Sequence, residues 1–298
     1  MCRGSFEELA DNWKEIAWNG VGFRVPEEWE IGQMGIRHLT LEDNWGPAME
    51  IKWAPVRGKF SHRSHLKRLI AVQTGGLKKT IQEWSVPARW EKALSGFQFR
   101  GFSWQGETQS GRGVILYCPV CRKAALIQFF LTESTRQEAI PLRVLQTFQD
   151  HRSDDQTVWS VFDIRAVIPA NFKHVRHSFK PGNYELAFEH RRQKVILYRW
   201  APATALLADR DLMGFGRTII DFRAADPVEV MIEDRQMLEW KASPRIKWVS
   251  RFLPRPSYHG LRLWHLPEKN RVLGVKMQSK RALDIRSLDR ICVDYESI

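Results

Sequence analysis

The chain has 298 residues, of which 43% are hydrophobic and 27% charged, the balance of an ordinary globular protein with room for about two domains. No run reaches the roughly 18–20 apolar residues of a membrane span, and the opening MCRGSFEELADNWKE is polar where a signal peptide is apolar; no membrane span and a cytoplasmic location are expected. The formal net charge is +12 and the isoelectric point near 9.7, with 20 basic against 16 acidic residues in 1–150 and 26 against 18 in 151–298. That spread excess implies either solubility alone or an acidic partner: nucleic acid, an acidic protein face or an anionic surface.

Trp18 precedes Asn19-Gly20, the favoured pair for a tight type I′ hairpin turn, and Gly22–Val25 alternates as a strand that Pro26 ends. Strands are expected at Gly35–Leu41 and Met49–Trp53. Ser61 is placed to cap a helix with Leu66, Leu69, Ile70 and Val72 as its apolar stripe and Gly75-Gly76 as its stop. Strands at 96–104, 113–117 and 124–131 and a helix near 140–149 complete the first half. The second half reads as strands near 159–168, 184–190 and 194–200, a helix over 203–220, strands near 228–240, 245–252, 259–265 and 271–277, and a helix after Arg281.

The halves can be laid on each other. Trp53-Ala-Pro55 matches Trp200-Ala-Pro202, each after an apolar run, and Val114–Ile127 matches Leu261–Gly274. Trp18 with Phe23, Val25, Pro26 and Trp29 matches Trp159 with Phe162, Ile164, Pro169 and Phe172. Three blocks in one order point to an internal duplication with domains at 1–152 and 153–298. The expected fold is α+β: two similar domains, each a mainly antiparallel β-sheet covered by α-helices.

The pattern Phe23-x-Val25-Pro26-x-x-Trp29, followed by a hairpin, a helix, a meander and a closing helix, resembles the PsbP-like (Mog/PsbP-type) family. Phe172 stands in the second copy where that pattern has a tryptophan. The resemblance covers each half almost completely. It implies a binding or assembly module without enzymatic activity, and it transfers no functional residue.

Cys118-Pro-Val-Cys121 is the sharpest local motif. Two cysteines at this spacing form a knuckle that can hold half of a tetrahedral zinc site, and His62 and His65, on one helix turn, are the expected remaining metal ligands. A redox pair and a plain hairpin turn are the other two readings; thioredoxin-like chemistry would place the pair at a strand-to-helix start. His265 and Glu268 occupy the matching positions, so the second half cannot rebuild such a site. No cofactor is expected other than this structural zinc.

His174 and His177 fall in a stretch read as a loop among Lys173, Arg176 and Lys180, where a divalent cation is repelled. The tryptophans near strands read as core, whereas Trp13, Trp45 and Trp90, near polar turns, are candidates for exposed contacts. Arg191, Arg192 and Lys194 form the densest basic patch and the expected contact for nucleic acid or an acidic partner. Phosphate-loop, dinucleotide and nucleophile-elbow patterns are missing. A non-enzymatic binding or assembly protein with a protein partner is expected. Nucleic-acid binding through the second half, or an enzyme with its site at the domain interface, are the alternatives.

Overall fold

The computed structural model describes residues 12–72, 80–136, 138–222, 224–243 and 258–298. The chain divides into two compact units, Met1–Arg152 and Ser153–Ile298, and every strand pairing within each unit is antiparallel.

In the first unit β1 (Trp13–Trp18) and β2 (Val21–Pro26) form a hairpin closed by Asn19 and Gly20 at φ 47° and 82°. Those angles are the left-handed region that Asn and Gly tolerate, so the expected turn is present. The main sheet adds β3 (Glu30–Gly35), β4 (His38–Asp43) and β5 (Gly46–Pro55), then β6 (Thr80–Glu83), β7 (Gln98–Gln105), β8 (Ser110–Tyr117) and β9 (Lys123–Phe130), in the order β3-β4-β5-β9-β8-β7-β6. Helix α1 (His62–Val72) starts where Ser61 Oγ accepts from Ser64 N at 3.3 Å. Its Leu66 is buried with Phe102, Trp104 and Ile115. The Gly75-Gly76 stop lies outside the described residues. Short α2 (Ala88–Ala93) and α3 (Glu133–Arg136) precede α4 (Ala139–Thr147), which buries Val144 and Leu145.

Two readings change here. The single strand at 35–41 is a hairpin broken at Ile36-Arg37, and α2 and β6 were not legible as elements. Six-residue and four-residue elements carry too little periodicity to stand out from loop.

The second unit runs β10 (Gln156–Val161), β11 (Ile164–Pro169), β12 (Lys173–Lys180), β13 (Asn183–His190), β14 (Gln193–Trp200), α5 (Ala203–Leu206), α6 (Leu212–Ile219), β15 (Val228–Ile232), β16 (Arg235–Ala242), β17 (Tyr258–Leu266), β18 (Arg271–Ser279), α7 (Ile285–Val293) and the short β19 (Glu296–Ser297). Its main sheet has the order β12-β13-β14-β18-β17-β16-β15, and β10, β11 and β19 pair in sequence. Trp200, Phe215, Trp240 and Leu263 fill its core beneath α5 and α6.

Four expectations are corrected in this unit. The strands at 159–168 and 228–240 are hairpins, turned at Phe162 and Glu233 with φ 55° and 50°. Neither residue announces a left-handed turn as Gly or Asn would. The helix at 203–220 is two helices, because Asp211 caps a new one by accepting from Gly214 N at 2.7 Å. The stretch holding His174 and His177 is strand β12, not a loop. The strand expected at 245–252 lies outside the described residues.

Candidate functional site

The Cys118–Cys121 motif forms the tight turn between β8 and β9. Cys118 N donates to Lys123 O at 2.9 Å and Arg122 N donates back to Cys118 O at 3.0 Å, with Arg122 at φ 55°. The chain leaving α4 is drawn to the same place. Gln149 pairs with Gly22 of β2 through two backbone hydrogen bonds of 2.8 Å, and Lys123 Nζ donates to Gly20 O at 2.9 Å and to Asp150 O. Asp150 and His151 are thereby set against the cysteines.

Cys121 Sγ donates to Asp150 Oδ2 at 3.0 Å, His151 Nδ1 lies 2.6 Å from Asp150 Oδ1, and Cys118 Sγ lies 3.7 Å from His151 Nδ1. One donor atom from each of the four residues falls within 4.8 Å of all the others. Cys118 and Asp150 are buried, Cys121 half-buried and His151 exposed. Burial and the adjacent Asp150 carboxylate push the Cys121 thiol up to about 12. A thiol so placed is a poor nucleophile, which argues against a redox pair.

His62 and His65 lie away from this group. His62 Nε2 bonds Gln98 O and His65 Nδ1 bonds Ser61 O, both at 3.0 Å. Both rings pack on Phe60, which stacks on Tyr117 at 4.7 Å. Asp150 and His151 were missed in the sequence because no spacing rule links them to the cysteines; the Gln149–Gly22 bridge does.

The basic residues of the second unit also converge. Arg191 and Arg192 are the exposed turn between β13 and β14, and Lys280 and Arg281 follow β18. Gln193 pairs with Ser279, and Lys280 N donates to Arg192 O at 3.3 Å, so the four cations share one end of the sheet. Among the described residues none of the four has a carboxylate within 4.0 Å. Lys194 differs, being 3.8 Å from Glu189.

Of the three tryptophans expected outside the core, Trp45 is 62% exposed at the β4–β5 turn. Trp13 is half-buried, with the Arg143 guanidinium 4.4 Å from its ring centroid. Trp90 is fully buried, which corrects the expectation: α2 turns it inward onto Trp84 and Phe129, edge to face. Trp18, Trp53, Trp104, Trp159, Trp200 and Trp264 are all buried.

No protein-family model matches the chain, and no curated protein matches it in sequence. Solved structures do. The Ran-binding protein Mog1p of Saccharomyces cerevisiae is 11% identical, over 49% of this chain and 96% of its own, with a TM-score of 0.33. The immunity protein TplEi of the Pseudomonas aeruginosa T6SS is 9% identical, over 98% and 99%, at 0.38. The Tle4–Tli4 complex contains a chain 8% identical, over 96% and 97%, at 0.36. Among the described residues no helix is long and apolar enough to cross a membrane.

Proposed function

We propose that the chain is a non-enzymatic binding protein of the cytoplasm that holds a macromolecular partner through an acidic face. The observation that carries this reading is the end of the second sheet where Arg191, Arg192, Lys280 and Arg281 stand together, exposed and without a described carboxylate. Four unpaired cations repel one another, and a fold that maintains them gains when an anionic surface covers them. An acidic protein face fits better than nucleic acid. Base stacking on single strands needs exposed aromatics beside the cations; among the described residues the exposed Trp45 belongs to the other unit, and the exposed Phe162 packs on Tyr184 at the end of β13 away from Arg191.

We further propose that the two units are PsbP-like modules related by duplication. In support, the strand order of the second main sheet repeats that of the first, each strand nine places later in the chain. Trp53 and Trp200 fall on corresponding strands β5 and β14, and Trp18 and Trp159 on β1 and β10.

The test uses the full chain as bait in native lysate, beside a variant with all four cations changed to glutamate. The reading expects acidic proteins held by the wild type at low salt and lost with the variant. Identical recovery from both baits contradicts it, and recovery that disappears on nuclease treatment assigns the partner as nucleic acid instead.

A further inference from the structure

We propose that Cys118, Cys121, Asp150 and His151 bind one zinc ion, which ties the β8–β9 turn to the segment that follows α4. The four donors come from two stretches of chain brought together by the Gln149–Gly22 bridge, and they already lie within 4.8 Å of one another. Zinc bonds of about 2.3 Å to sulfur and about 2.0–2.2 Å to nitrogen and oxygen put tetrahedral neighbours about 3.3–3.8 Å apart. The contacts of 3.7, 3.0 and 2.6 Å, the last two to different Asp150 oxygens, and the outer limit of 4.8 Å need to change by up to about 1.5 Å as the ion enters.

Burial of Asp150 supplies a second reason. Its side chain is 4% exposed, and the oxygens of a buried carboxyl group need partners. Among the described residues the only basic side chain within 4.0 Å of it is His151, itself 40% exposed. Lys123 Nζ reaches Gly20 O and the Asp150 backbone carbonyl instead. The remaining donor to the carboxylate is the Cys121 thiol, a weak one. A dication completes this arrangement as a thiol proton does not.

Ligand chemistry selects the metal. Two sulfurs exclude the hard cations calcium and magnesium, and sulfur with imidazole and one carboxylate suits zinc in a closed, four-ligand structural site. On binding, two Zn–S bonds form and the two thiol protons leave to solvent. Two thiolates and one carboxylate against a dication leave one net negative charge, which the adjacent Lys123 ammonium offsets.

The experiment is elemental analysis of the full chain purified without a histidine tag, followed by zinc or cobalt titration of the chelator-stripped, reduced protein. One zinc per chain is expected in the wild type and in the His62→Ala/His65→Ala variant. Asp150→Asn and His151→Ala should each weaken zinc retention at least tenfold, as should Cys121→Ser. Cobalt should give the visible bands of a tetrahedral thiolate site in the wild type and lose them in Cys121→Ser, and circular dichroism confirms that each variant folds. His151 is exposed, so His151→Ala keeps the test sound if Asp150→Asn misfolds. A chain that retains no zinc and gains neither thermal stability nor cobalt bands on titration overturns the proposal. So does zinc that survives loss of Asp150 and His151 but leaves with His62 and His65.

Discussion

The backbone N–H of Lys280 donates to the carbonyl of Arg192 at 3.3 Å, and that hydrogen bond sets two pairs of cations from distant parts of the chain side by side. Surface charges left unpaired in this way lower stability by mutual repulsion. Changing Arg191 and Arg281 to serine should therefore leave the melting temperature unchanged or raise it. Adding salt from low ionic strength should raise the wild-type value more than the variant's, since screening already acts on fewer like pairs. A clear loss of stability in the variant would show that these side chains serve the fold.

Arg262 and Glu239 are both buried, joined by a 2.8 Å hydrogen bond across β16 and β17, with Asp289 of α7 2.6 Å from the same guanidinium. Removing Arg262 leaves the buried Glu239 with the more exposed Lys241, 2.5 Å from its other oxygen, as its remaining described ion-pair partner. Arg262→Met should cost about 3–5 kcal/mol in denaturant unfolding. The double replacement with Glu239→Leu should recover much of that loss, because neither charge then remains.

Trp90 is the largest side chain that α2 buries, wedged between Trp84 and Phe129 with the Arg112 guanidinium 5.4 Å from its ring centroid. Trp90→Ala should destabilise the first unit by about 3–5 kcal/mol, the range for emptying a large aromatic site. A surface role for Trp90 would instead leave the unfolding midpoint unmoved.

The Asn19-Gly20 hairpin, and strands with long buried runs such as β8, β14 and β18, were legible because local chemistry and burial agree there. Strand β12 was not, since KHVRHSFK places histidines and cations where apolar residues usually mark a strand. The cysteine pair was legible, but Asp150 and His151 were not. Their nearness to it depends on β2 pairing with Gln149, a contact between chain segments that no local pattern encodes. Arg191 and Arg192 were visible as a patch; their junction with Lys280 and Arg281 is a product of sheet register.

His174 is pushed down to about 4, first by burial and then by the neighbouring His177, which burial also lowers. An unfolded histidine titrates near 6.5, so between those values the unfolded chain binds more protons than the folded one. Stability should thus be fully present at neutral pH and decline as pH falls through about 6.5 toward 4. A His174→Leu variant should show a shallower decline in melting temperature over this window, and equal slopes would remove His174 as the cause.

The most direct measurement is the salt dependence of partner binding by the intact chain, with and without charge reversal at Arg191, Arg192, Lys280 and Arg281. For the captured acidic partner, affinity should fall steeply between low and physiological salt, mainly through a slower association rate. The reversed variant should bind weakly at every salt and lose most of that slope. Equal affinity and equal slope for the two proteins would contradict the account.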